Sequence, residues 1–206
     1  MSMAYVIGIT GGIGTGKSTV LGMLSELGAR VLSADNVAKQ ILDIDEPAYR
    51  EVCERFGDDV LLADGQINRS ALGRIVFSDS KARADLDAIT HPRIIEKINR
   101  TIEEYRKDPG DDKVFAIEIP LLMECNMEYM LDEVIVVAAE QETQIHRLTS
   151  RSGISHDEAL RRIDSQMPMD IKVRRADRVI RNDADLVNLR KSVEDVWYEI
   201  LLLLKE

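Results

Sequence analysis

The sequence predicts a three-layer α/β protein built on a five-stranded parallel sheet, and three observations carry that expectation. The chain opens on an apolar run rich in β-branched residues. A glycine-rich turn, an amphipathic helical pattern and a second apolar run follow at once. Strand, helix, strand at that spacing is a βαβ unit, whose strands run parallel because the crossover returns the chain to the same edge. Three further apolar runs continue the pattern downstream.

The first run, Ala4 to Thr10 (AYVIGIT), suits a strand buried on both faces. Val20, Met23, Leu24 and Leu27 then share one helical face, and Gly28 stands where that helix should stop. The second strand is expected at Ala29 to Ser33, and the others at Lys113 to Ile119, Glu133 to Ala138 and Asp177 to Arg181. The stretch between the second and third strands far exceeds an ordinary crossover. It has a helical pattern, with Ile94, Ile98, Ile102 and Tyr105 on one stripe and Pro92 at the expected first helical position. Helices are also expected at Gln141 to Ser150 and Ser155 to Gln166, joined at Gly153, with Ser155 and Glu158 spaced as a capping box. The last helix places Leu186, Leu189, Val193, Val196, Ile200 and Leu203 on a core-facing stripe.

Composition narrows the function classes. The chain has 206 residues, 45% hydrophobic and 31% charged, the balance of a globular protein with room for one sizeable core and a small insertion. Its net charge of −10 repels nucleic-acid phosphates and anionic lipid, which argues against general binding to either. The two cysteines, Cys53 and Cys125, form no CxxC pattern, so neither a disulfide framework nor a cysteine zinc site organises the fold. Met1 to Thr10 lacks the basic start and cleavage site of a signal peptide, and the apolar run Ile200 to Leu204 is too short to span a bilayer. A cytoplasmic protein, monomeric or weakly homo-oligomeric, is expected.

The sharpest signal is Gly11-Gly12-Ile13-Gly14-Thr15-Gly16-Lys17-Ser18, which fits GxxxxGK[ST] at every required position between a strand and a helix. Wrapping phosphate oxygens in backbone N–H groups requires close approach and unusual φ/ψ, and glycine permits both. The helix that begins here aims its positive end at the phosphates. Lys17 is placed to reach the β- and γ-phosphates, and Ser18 to offer its hydroxyl to Mg²⁺. Gly12, Ile13, Gly14, Thr15, Gly16, Lys17, Ser18 and Thr19 are therefore the candidate nucleotide contacts. The bland alternative is a glycine-rich turn that binds nothing.

The class within such proteins follows from what is missing and what is present. No glycine has Asp three residues before it and no NKxD occurs, which excludes a regulatory GTPase switch. No run of four apolar residues ends in Asp-Glu, which argues against a motor-type ATPase. A non-catalytic ATP-binding module would keep the loop but needs no acceptor site. A small-molecule kinase needs an acceptor group and a cover, and both have candidates. Asp35 lies two residues beyond the second strand, at the end where parallel sheets bind ligands. A carboxylate there can orient a hydroxyl and take its proton, although Asp35 could equally cap the helix that follows. Arg147 and Arg151 are one turn apart on a shared helical face. The segment they open is basic on an otherwise acidic chain, which fits a cover over polyphosphate as well as a solvated face.

Several further segments carry a resemblance. GITGGIGTGKSTV (Gly8 to Val20), SADNVAKQIL (Ser33 to Leu42), HPRI (His91 to Ile94), IPLLME (Ile119 to Glu124), RLTSR with RIDSQMP (Arg147 to Pro168) and ADRVIRND (Ala176 to Asp183) resemble the dephospho-CoA kinases in kind and order. The resemblance implies a three-layer P-loop NTPase fold with a helical substrate-binding insertion and a helical lid. It implies a nucleotide-binding core of residues 1–57, 111–140 and 167–206, an acceptor lobe of residues 58–110 and a lid of residues 141–166. It implies ATP and Mg²⁺ as cofactors, dephospho-CoA as acceptor through its ribose 3′-hydroxyl, and CoA as product. Asp35 would be the base or orienting group, and Arg147 and Arg151 the lid arginines that neutralise the transferring phosphoryl group. His91, which could instead be an N-cap before Pro92, would bind substrate together with Thr10 and Pro120. Asn182 and Asp183 would lie near the adenine. Two positions depart from the family pattern. Glu118 stands where Asp is common, which bears on its expected role of holding Mg²⁺ through water, and Ala184 stands where glycine is common.

Overall fold

The computed structural model describes residues 4–205. Five strands form one parallel sheet in the order β2-β3-β1-β4-β5, with β1 Tyr5–Gly11, β2 Arg30–Ser33, β3 Val114–Glu118, β4 Glu133–Ala138 and β5 Arg178–Arg181. Each lies within about a residue of the stretch its sequence predicts. β1, β3 and β4 occupy the middle, and their continuous apolar runs bury almost every residue on both faces.

Two helices close one face. α1 (Lys17–Glu26) lays Val20, Leu21, Met23 and Leu24 onto the sheet beside Leu189, Val193, Trp197 and Ile200 of α9 (Leu186–Leu203). Val114 and Ala116 of β3 join this cluster. The strand period turns Phe115 to the opposite face, where its ring lies 5.0 Å from that of Tyr105, in the last turns of α5 (Ser80–Lys107). The sheet is therefore the middle of three layers, the P-loop NTPase-like arrangement the sequence predicts. After β4 come α6 (Gln141–Ser152), α7 (His156–Asp164) and α8 (Met169–Arg175). The Ser155 hydroxyl accepts from Glu158 N–H at 3.2 Å, the N-cap half of the predicted box, while the Glu158 carboxylate turns instead to Arg161 and Arg162.

The chain divides into two compact units. One comprises the residues up to Ser33 and from Ile102 onward, and the other is Ala34–Thr101. The helical unit thus takes in residues 34–57, which the sequence assigns to the core, and ends nine residues before the expected boundary at 110. It contains α2 (Ala34–Gln40), α3 (Pro47–Phe56), α4 (Arg69–Ser78) and most of α5. Its own core is Val52, Val60, Ile67 and Leu72, ringed by Leu42, Tyr49, Phe56, Ile75, Leu86 and Ile89. α3 contributes Val52, Tyr49 and Phe56 to that separate core and so groups with it.

Two local expectations are corrected here. Pro92 does not open a helix but lies inside α5. It has no N–H to give the preceding turn, yet buried Ala82, Ile98, Ile102 and Tyr105 hold the helix on both sides of it. The Arg93 guanidinium donates to Ile89 O at 2.7 Å, serving one of the carbonyls near the break. His91 is consequently an interior helical residue and not an N-cap. Asp35 is likewise no cap, because α2 already begins at Ala34 and Asp35 sits within its first turn.

Among the described residues no helix is long and apolar enough to cross a membrane. At the far end of the sheet, the Tyr5 hydroxyl donates to Glu133 Oε2 at 3.0 Å. Burial, then that carboxylate, pushes the Tyr5 pKa from 10.0 up to about 12. Burial also pushes Tyr105 up to about 12, with Asp112 adding to it. A folded-state pKa above the unfolded value means stability is retained below pH 10 and lost as pH rises toward 12. Urea unfolding across that range should show the decline, and Tyr5→Phe with Tyr105→Phe should flatten it. An unchanged decline in the double variant would contradict the assignment.

Candidate active site

The turn between β1 and α1 is shaped by what its carbonyls touch. Gly12 O accepts from Lys17 Nζ at 2.9 Å and from the Thr15 hydroxyl at 2.9 Å. Gly14 O accepts from Arg147 Nη1 at 3.3 Å, and Thr15 O accepts from Asn182 Nδ2 at 2.7 Å. The C=O of one residue and the N–H of the next point in opposite directions, so the Asn182 contact to Thr15 O turns the Gly16 N–H the other way. The N–H groups of Gly14 and Gly16 have no protein acceptor among the described residues. They lie at the start of α1, where a helix leaves first-turn N–H groups without intrahelical partners, an arrangement of the kind that binds anions. Two glycines make the turn possible. A Cβ on Gly11 would fall 2.2 Å from Val137 O, and Gly16 adopts φ 95° with its would-be Cβ 2.3 Å from Asn182 Nδ2.

Beside this turn lies a carboxylate. The Ser18 hydroxyl donates to Glu118 Oε1 at 2.9 Å, and Glu118 is buried at the end of β3. Thr10 donates through its hydroxyl to Pro120 O at 3.2 Å, so both meet at the end of β1. Thr19 is exposed on the first turn of α1.

The segment expected to cover the loop packs through its own small core of Ile145, Leu148 and Ala159, joined by the Ile13 side chain. Arg147 on α6 is engaged with the loop itself: besides Gly14 O it donates from Nη2 to Asn182 O at 2.9 Å. Arg151, one turn on, is exposed and has no hydrogen bond or ion pair among the described residues. On α7, Arg161 and Arg162 both bind Glu158, at 2.7 and 3.0 Å, and hold its carboxyl below the usual carboxylate range. Asp183 accepts from Glu140 N–H at 2.6 Å, which ties the turn after β5 to the start of α6.

The remaining candidates belong to the helical unit. Asp35 is exposed in α2 and has no hydrogen bond or ion pair among the described residues. It follows Ser33 by two residues, and Ser33 pairs in register with Glu118, which pairs in turn with Ile9. His91 Nε2 lies 3.5 Å from Asp87 Oδ1, one turn back on α5.

Four polar residues in the sheet unit were not singled out by the sequence. Lys172 is wholly buried on α8 and pairs with Glu124 Oε1 at 2.8 Å. Gln166 accepts the Ile13 N–H at 2.7 Å. Gln144 is buried, donates to Ala139 O at 3.0 Å and faces Gly12. The available signal was Glu124 inside IPLLME, a charge closing an apolar run. Lys172 and Gln144 stand in polar helical stretches and Gln166 in a polar turn, and in the sequence all three look solvated.

The family model described as dephospho-CoA kinase (CoaE) matches residues 5–188. A dephospho-CoA kinase of Moorella thermoacetica is 43% identical over 95% of this chain and 92% of its own length. One from Bacillus cereus is 43% identical over 93% of this chain and 95% of its own length. The solved dephospho-CoA kinase of Campylobacter jejuni superposes with a TM-score of 0.72 at 31% identity, covering 95% of this chain and 96% of that one.

Gly16→Ala should lower ADP affinity at least about tenfold, because both the positive φ and Asn182 oppose a methyl group there. Gly22→Ala, in the same helix with nothing within 4 Å of the added carbon, is the control and should leave affinity unchanged. Calorimetric titration with ADP checks both, and equal affinities for all three proteins would contradict the geometry.

Proposed function

The chain belongs to the dephospho-CoA kinase family, and on that premise we propose that it transfers the γ-phosphate of ATP to the ribose 3′-hydroxyl of dephospho-CoA, giving ADP and CoA. The observation that carries this reading is the amide nest at the end of β1, with Lys17 and Glu118 beside it.

Each residue is assigned a task in this reading. The nest and the positive end of α1 bind the β-phosphate. Lys17 Nζ, resting on Gly12 O, is close enough to exchange that carbonyl for phosphate oxygens. The Ser18 hydroxyl and the Glu118 carboxylate supply oxygen donors of the kind Mg²⁺ takes, Glu118 through water. When bound there, Mg²⁺ neutralises charge on the β- and γ-phosphates. Asp35 orients the acceptor hydroxyl and takes its proton as the new bond to phosphorus forms. Thr10, Pro120 and His91 serve the acceptor side. Asn182 fixes the nucleotide side of the loop through Thr15 O. Arg147 stiffens the same loop from outside, which makes it a ground-state brace as well as a lid residue. Arg151, exposed on the next turn, is left to meet the phosphoryl group as residues 141–166 close.

A chromatographic assay with ATP, Mg²⁺ and a panel of acceptors tests the reading. Transfer to dephospho-CoA is expected; transfer only to a nucleoside monophosphate would replace it with another kinase of this architecture. ATP binding with no transfer at all would make the chain a binding module. Lys17→Ala should remove most turnover. Asp35→Asn should lower kcat by about 10²–10⁴, the range for losing a general base. A loss under tenfold would remove Asp35 from the proton transfer.

A further inference from the structure

The loop is held from a direction that the nucleotide-binding residues do not explain. Gln166 lies in the turn after α7, where its own N–H donates to Ile163 O at 3.1 Å. Its side-chain Oε1 accepts the Ile13 N–H at 2.7 Å, in the middle of the phosphate loop. The next residue is anchored too, since Met167 N–H donates to Glu124 Oε1 at 3.1 Å. Glu124 Oε1 in turn binds Lys172 Nζ at 2.8 Å, and Lys172 is wholly buried. Lys172 Nζ also donates to Pro120 O at 3.4 Å, the carbonyl that accepts from Thr10. The contacts close a ring: Ile13, Gln166, Met167, Glu124, Lys172, Pro120 and back to Thr10, three residues before Ile13.

The parts of this ring differ in stiffness. A buried ammonium and its carboxylate have no low-energy alternative, because breaking the pair strands a charge away from water. The Gln166 contact is a single neutral hydrogen bond at the point where the covering segment meets the loop. It uses the Ile13 amide and leaves the Gly14 and Gly16 amides open for phosphate. The same Ile13 sends its side chain into the small core of α6 and α7. Amide and side chain together therefore index the segment bearing Arg147 and Arg151 to the loop.

We propose that Gln166 is a positioning residue for phosphoryl transfer: by accepting the Ile13 N–H it sets the register of residues 141–166 against the phosphate loop. The proposal deepens the kinase reading and rests on it. Displacing a reacting arrangement by about an ångström can cost on the order of 10²-fold in rate, far more than one neutral hydrogen bond contributes to stability.

Steady-state kinetics with ATP and dephospho-CoA, alongside calorimetric titration with ADP, test it on three proteins. Gln166→Met keeps the length but cannot accept the bond. It should lower kcat about 10- to 100-fold with ADP affinity within about threefold of wild type. Gln166→Glu keeps an acceptor oxygen at the same reach. At saturating ATP it should restore kcat to within about threefold, with any repulsion of phosphate appearing in KM. A Gln166→Met enzyme as fast as wild type, or a Gln166→Glu enzyme as slow as Gln166→Met at saturation, would overturn the proposal while leaving the kinase reading intact. A wild-type protein that phosphorylates no acceptor would overturn both.

Discussion

Everything at the site depends on how three backbone carbonyls of one loop are fastened by side chains. Gly12, Gly14 and Thr15 each give their oxygen to a side chain: Lys17, Arg147 and Asn182. Peptide geometry then turns the Gly16 amide away from the Asn182 contact, at the positive end of α1. The glycines allow this arrangement but do not impose it. Arg147 on α6 and Asn182 after β5 hold the loop in this shape, and Lys17 is the one fastening that a bound phosphate would take over.

The sheet explains why those side chains are in reach. β1 lies between β3 and β4, so the loop at its end meets Glu118 from one neighbour and the segment after Ala138 from the other. β5, beyond β4, delivers Asn182 to the same edge. A parallel sheet sends all its carboxyl ends to one side, and the crossover helices start there. The ion pair of Glu124 with the buried Lys172 extends the same logic one step outward, anchoring the turn after β3 to α8.

Much of this was legible in the sequence because it is local. Apolar runs with β-branched residues mark the strands, and GxxxxGKS between strand and helix marks the loop. The capping residue Ser155 is also local, and its hydroxyl bonds the N–H three residues on. What escaped depends on partners distant along the chain. Pro92 has the local signature of a helix start, yet buried residues on both sides of it carry α5 straight through. Asp35 looks like a cap only until the helix is seen to begin at Ala34. Arg147 was legible as a charge on a helix face, but not as a donor to a loop more than a hundred residues earlier. Lys172 offers no periodicity that distinguishes a buried ammonium from a solvated one; only the position of Glu124 does.

A crystal structure with ADP and Mg²⁺ tests the central claim most directly. The account predicts β-phosphate oxygens within hydrogen-bonding distance of the Gly14, Gly16, Lys17 and Ser18 amides. It also predicts that Lys17 Nζ turns from Gly12 O toward the phosphate while Asn182 stays on Thr15 O. A nucleotide seated away from those amides, with Lys17 still on Gly12 O, would contradict it.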